Sequence, residues 1–200
     1  MQIDVDCVKN ASLQLKSSLE LIQNAESKDQ LRGYEGEAAS IYFGVFNELI
    51  LQQKKDFAFQ GRNKRPPLDN VNAMLSFVYT MLTNQIAAAL EVVGLDPYVG
   101  YLHTDRPGRV SLALDLIEEF RAVYADRFVL SLINKKIVNK LYEELNKLSS
   151  NEVLYMQTLE LTKLIQEYLL NLEQETNYIL EFNNEVEMSA LFKAVDLRYE

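Results

Sequence analysis

Tryptophan is absent from these 200 residues, and cysteine and histidine occur once each. One cysteine, Cys7, cannot close a disulfide within the chain, so a reducing cytosol suits it. Cys7 falls in an amphipathic pattern and reads as a small buried apolar residue. One cysteine also excludes a paired-cysteine zinc motif. Cys7 and His103 are far apart in sequence, and no nucleophilic Ser–His or Cys–His arrangement stands out. Glycine and proline are scarce, at 7 and 4 residues, which favours long helices over turn-rich β structure. No glycine-rich phosphate loop, Walker lysine or dinucleotide fingerprint occurs. The N-terminus MQIDVDCVKN lacks the basic region and apolar core of a signal peptide. No apolar run approaches the ~20 residues needed to span a bilayer. The expectation is a soluble protein.

What is present suffices for a core. Hydrophobic residues make up 48% and charged ones 24%, ordinary for a folded domain. The net charge of −9 argues at first against nucleic acid, but its distribution does not. Residues 143–200 hold 12 acidic and 4 basic side chains, a net of −8 that leaves −1 for the rest. Between Lys54 and Arg65 the basic side chains Lys54, Lys55, Arg62, Lys64 and Arg65 face one acid, Asp56. A local basic patch beside an acidic tail is a weak partner signal.

Apolar spacing organises the chain. Ile3, Cys7, Ala11, Leu15, Leu19 and Ile22 recur at helical steps, so residues 3–26 read as an amphipathic helix. AESKDQ is a polar break, and a second helix starts near Leu31. Its early glycines, Gly33 and Gly36, cost helix stability and suggest close approach of a backbone or ligand. FQGRNKRPP is a loop, because Pro66 and Pro67 forbid a helix through them. Asp69 caps a third helix, which ends at Gly94. An irregular stretch, LDPYVGYLHTDRPGRV, leads to a helix capped by Ser111. Leu112, Leu116 and Phe120 lie on its apolar side, with Ile117 at the boundary and a bend near Ala122. From Glu152 the chain reads as acidic amphipathic helices. No strand run or internal repeat is evident. The expectation is an all-α fold, one helical domain over residues 1–200.

Three elements could carry chemistry. Glu35 opens the second helix, where a carboxylate is favoured by the helix dipole in any case. The basic loop from Phe59 to Pro67 reads equally as solvated surface. His103 precedes Asp115 and Glu118, which share a helix face. Imidazole with carboxylates is a ligand set for a divalent metal, although an Asp/Glu pair on an amphipathic helix is ordinarily its wet face.

Taken together, LRGYEGEAASIYF, FQGRNKRPPLDNVNAMLSFVYTML and GLDPYVGYLHTDRPGRVSLALDLIEEFRAVYADRFVLSLINKK resemble the catalytic domain of the CRISPR-associated integrase, the metal-dependent subunit of the spacer-acquisition complex. The resemblance covers roughly residues 5–136. It implies that Glu35, His103 and Glu118 bind the metal and that Asp115 fills a further acidic position. Glu37 and Glu119 match no ligand position. The family joins a DNA 3′-hydroxyl to a phosphodiester at a repeat boundary, and is described as a metal-dependent nuclease.

A mostly hard donor set suits Mg²⁺ or Mn²⁺. Arg62, Lys64, Arg65, Arg106 and Arg109 are expected on DNA phosphates. Arg121 could join them, or simply pair with a local acid.

The resemblance further implies a prokaryotic cytoplasmic protein, a small ferredoxin-like partner subunit and a homodimer built by an N-terminal β-rich domain. This chain begins directly at the α domain, so a monomer or weak dimer is expected of it. The alternative is a non-catalytic helical module that binds DNA or protein. Clustered carboxylates repel, so Glu118→Ala is expected to leave the metal-free fold equally or more stable.

Overall fold

The computed structural model describes residues 5–63, 66–104 and 106–139. The regular structure among those residues is helical, with no strand; the all-α expectation holds. The acidic segment 143–200 lies outside the described residues, as do Lys64 and Arg65.

Helix α1 spans Val5–Gln23 and α2 spans Lys28–Val45. α2 starts three residues earlier than Leu31, because Ser27 caps it: its side chain accepts from the Gln30 amide. α2 tightens into a 3₁₀ turn at Phe46–Leu49. Helix α3, Asn70–Val92, is capped by Asp69, whose side chain accepts from the Asn72 amide at 2.7 Å. It ends as expected. Gly94 takes φ 79°, and the amides of Gly94 and Leu95 bond back to Glu91 and Leu90, the doubled closure of a left-handed C-terminal cap. By length and apolarity alone α3 could cross a membrane, contrary to the sequence reading. Its buried residues, among them Val71, Leu75 and Val78, are spent on the core.

Helix α4, Ser111–Phe120, runs into a π-helical segment, Arg121–Asp126, and then α5, Arg127–Asn134. The π segment covers Ala122, where a bend was expected; such segments recur at functional sites. Two details of α4 differ from expectation. Val110 is the cap residue, and Ser111 is the first helical one, its hydroxyl donating to the Thr104 carbonyl at 3.3 Å. Burial falls on two opposite sides of the helix: Ala113 and Ile117 line one, Leu112, Leu116 and Phe120 are half-buried, and Ser111 and Asp115 line the other face. A buried carboxylate on that face is what apolar periodicity could not show.

The main core gathers Phe46, Ile50, Phe57 and Phe59 with Val71, Leu75 and Val78 of α3 and Phe128, Val129, Leu132 and Ile133 of α5. Phe46 is fully buried and packs on Phe43 and Phe59. A second cluster joins Ile22 and Ala25 to Leu31 of α2 and to Leu102. Leu102 thereby plugs the loop that carries His103 against the start of α2.

Candidate active site

The His103 loop is held from two sides. Arg32 of α2 donates from Nε to the Leu102 carbonyl at 3.0 Å. Glu35 stands one turn further along the same helix, half-buried. From α4, the Asp115 carboxylate accepts the backbone amides of Tyr101, Leu102 and His103 in succession. It also accepts the His103 ring, with Nδ1 and Oδ1 2.7 Å apart. Asp115 is buried. Burial alone would raise its pKa, but the bonds from the His103 ring and the two backbone amides, with the imidazolium charge, hold it below the ordinary aspartate value. Gly100 makes this fit possible. A Cβ there would stand 2.6 Å from Ser111 Cβ and 3.1 Å from Asp115 Oδ2.

The geometry sets the imidazole tautomer. An ionised carboxylate only accepts, so Nδ1 carries the proton toward Asp115 and the neutral ring keeps its lone pair on Nε2. A carboxylate oriented this way fixes a histidine for metal binding through the other nitrogen. Asp115 is therefore a positioning residue for His103 and the loop, its oxygens already engaged.

Glu118 lies one turn beyond Asp115 and is paired with Arg121, the local pairing expected for that arginine. Arg121 is 23% exposed and Glu118 13%. Burial would lower the Arg121 pKa, but the charges of Glu118, Tyr79, Asp126 and Glu35 together raise it. Glu35 and Glu118 thus act on one guanidinium. The structure brings His103 to Asp115, and Glu118 to Arg121 within the field of Glu35. Among the described residues, no three His, Cys, Asp or Glu side chains stand close enough together to hold one ion. An ion shared by Glu35, His103 and Glu118 requires these side chains to draw together.

The chemistry of the donor set nonetheless suits a hard divalent cation: two carboxylates and one preset imidazole. At Glu118 the paired Arg121 guanidinium offsets the repulsion expected among the carboxylates. Gly33 and Gly36 meet no close backbone, since a Cβ at either has no atom within 4 Å. Gly36 instead opens the wall of a cavity of about 560 Å³ that Phe59, Arg62, Tyr79 and Arg121 also line.

Arg62 is not a loop cation in free solution. It donates to the Asn63 carbonyl at 2.6 Å, to Asn72 Oδ1 at 2.7 Å and to Ser76 at 3.1 Å. Asn72 is itself buried and bonded to Gly61 and Asp69. Arg62 and Arg121 both lie against the Tyr79 ring, 5.2 and 5.3 Å from its centroid. Among the described residues, the Nε atoms of both are buried without a hydrogen-bond partner. Arg106 is exposed and Arg109 half-buried.

Sequence reasoning missed the support beneath these arginines. Asp126 is fully buried and accepts the hydroxyls of Tyr79 and Tyr42, the latter at 2.9 Å. Burial lifts its pKa to about 6 against the bonds from the tyrosines and the charges of Arg121 and Arg62. The available signal was one acid in the run Val123–Val129, whose only other charge is Arg127.

Comparison with known proteins bears on this arrangement. The family described as CRISPR associated protein Cas1 matches residues 3–169. A CRISPR-associated endonuclease Cas1 of Rhodospirillum rubrum is 64% identical over 113 residues, covering 56% of this chain and 33% of its own length. One from Leptospira interrogans is 51% identical over 129 residues, covering 64% of this chain and 50% of its own. The chain thus spans a third to a half of these relatives. Among solved structures, a casposase bound to integration product superimposes with a TM-score of 0.55 and 29% identity, over 66% of this chain and 39% of that one.

Proposed function

The chain belongs to the Cas1 family of CRISPR-associated proteins, and from that premise we propose that it carries the metal-dependent chemistry of DNA strand cleavage and joining in CRISPR adaptation. The observation that carries the reading is the Asp115–His103 pair, which presets an imidazole nitrogen on a loop docked on Arg32, one helical turn before Glu35. Glu35, His103 and Glu118 would hold the ion, Mg²⁺ or Mn²⁺. Such an ion polarises a phosphodiester and lowers the pKa of an attacking hydroxyl or water.

The protein's own residues do the rest. Asp115 holds the His103 ring and the Tyr101–His103 amides in register. Glu118 and Glu35 supply carboxylate oxygens once Arg121 yields. Arg106 and Arg109, with Lys64 and Arg65, would contact DNA phosphates. Arg62, fixed by Asn72 and Ser76, would present a set positive charge at the cavity wall rather than a flexible one. Exchange of one phosphodiester for another needs no nucleotide energy source, in keeping with the missing phosphate loop. The relatives named as endonucleases and the casposase bound to integration product support a DNA substrate. A small ferredoxin-like partner subunit and a cytoplasmic setting belong to the same proposal, and the homodimer belongs to the full-length family.

The test is Mn²⁺-dependent cleavage of a branched DNA by this chain, with Glu118→Gln and His103→Ala as controls. Metal-dependent cleavage that both variants lose supports the reading. DNA binding without cleavage at any metal concentration would favour a non-catalytic helical module.

A further inference from the structure

Arg121 occupies the place of a cation. Its guanidinium bonds Glu118 within one helical turn and feels the Glu35 carboxylate as well. These are two of the three groups assigned to the ion, so two positive charges would compete for the same oxygens. Like charges at contact distance repel, and the shared bond to Glu118 cannot serve both at once.

Arg121 also has a second hold that does not depend on Glu118. It lies over the face of Tyr79 and lines the cavity that Gly36 opens. Tyr79 is held in place from behind by Asp126. The π turn that begins at Arg121 sets its side chain at this edge.

We infer that Arg121 is a stand-in cation for the acidic pair Glu35 and Glu118, displaced from Glu118 when a divalent metal binds and held afterwards on Tyr79 at the cavity. This rests on the metal reading of Glu35, His103 and Glu118. It makes metal affinity a net quantity, reduced by the work of moving Arg121. Binding of an anion in the cavity would draw Arg121 the same way and tighten metal binding, since coupling between sites is reciprocal.

The experiment is Mn²⁺ titration by calorimetry of the wild-type chain, Arg121→Gln and Arg121→Lys, with folding checked by circular dichroism. Arg121→Gln should bind Mn²⁺ about tenfold more tightly, as expected when one neighbouring positive charge is removed. Arg121→Lys keeps the charge and should stay near wild type, an ordering that a packing role would not produce. Should wild type bind while Arg121→Gln binds equally or more weakly, the inference falls and the metal reading stands. Should neither bind, both fall.

A measurement on the wild type alone guards against a misfolded variant. Modification of arginines by phenylglyoxal, read by mass spectrometry, should accelerate at Arg121 on adding Mg²⁺. An unchanged or slower rate at Arg121 overturns the inference.

Discussion

The Asp115 carboxylate is 2.7 Å from the His103 ring nitrogen Nδ1 and also caps the three successive amides of Tyr101, Leu102 and His103. One side chain thus closes a loop and sets a tautomer. The loop contains no regular structure to satisfy those amides, so the buried carboxylate replaces it.

Asp115→Ala should therefore destabilise the fold strongly. Buried donors left without an acceptor cost ~1–3 kcal/mol each, so a loss of about 3–5 kcal/mol is expected in urea unfolding. His103→Ala removes a partner but strands no amide, and should cost well under half as much. A loss below about 1 kcal/mol for Asp115→Ala would show that the loop does not depend on this carboxylate.

Two glycines give a contrasting pair. Gly100→Ala places a methyl 2.6 Å from Ser111 Cβ and should cost about 1–3 kcal/mol as overpacking. Gly33→Ala meets nothing within 4 Å inside α2 and should stabilise by about 0.5–1 kcal/mol through helix propensity. Thermal melts of both variants test the pair; equal shifts would contradict it.

Much of this architecture could be read in the sequence, and the reason is local. Asp69 and Gly94 are cap signals whose physics needs only the adjacent turn, and α3 begins and ends at them. The readings that failed depend on distant partners. Arg62 looked like a loop cation because Asn72 and Ser76, which seize it, belong to the next helix. Asp126 gave no hint of its tyrosines because Tyr42 and Tyr79 lie 84 and 47 positions away. On α4 the spacing missed the burial of Ser111 and Asp115, because the loop that Asp115 anchors covers that side of the helix.

Asp126 makes a pH prediction. Its carboxyl is raised to about 6 by burial, opposed by Tyr79, Tyr42, Arg121 and Arg62, whereas in the unfolded chain it titrates near 3.9. The protonated form is thus the one the fold favours. Its contribution to stability is fully present below about pH 4 and is lost as pH rises through about 6, on the order of 2–3 kcal/mol over that window. Asp126→Asn removes this dependence. The difference in unfolding free energy between variant and wild type should shift in favour of the variant between pH 4 and 7. A difference that is flat across that range would refute the raised carboxyl.

DNA affinity should fall steeply with salt, because phosphate contacts release counterions. The choice of variants follows from the structure. Arg62→Glu would break bonds to Asn72 and Ser76 and bury a carboxylate against Asp126, so weak binding by it would report misfolding. Arg106→Glu with Arg109→Glu, in the His103 loop, leaves those contacts intact. That double variant should weaken binding to any sequence alike and flatten the salt dependence by about two contacts' worth. Fluorescence anisotropy across a salt series decides it, and an unchanged slope would remove both arginines from the DNA surface.

Glu118 provides the sharpest stability test. Repulsion among Glu35, Asp115 and Glu118 alone would make Glu118→Ala neutral or stabilising. The structure gives the opposite sign. Glu118 is paired with Arg121, which is largely shielded from water and has a second nitrogen, Nε, already without a partner. Removing the carboxylate strands a charge whose remaining neighbours are Tyr79 and the field of Glu35 and Asp126. Leaving one partner of such a pair uncompensated is destabilising, here by about 1–3 kcal/mol because both groups keep some solvent contact. Glu118→Gln preserves an acceptor for the guanidinium and should cost less. The double variant Glu118→Ala with Arg121→Met removes both charges and should recover most of the loss, which a thermodynamic cycle of the four proteins in EDTA measures. Should Glu118→Ala melt at or above the wild-type temperature, Arg121 is not held by this carboxylate, and carboxylate repulsion governs the site after all.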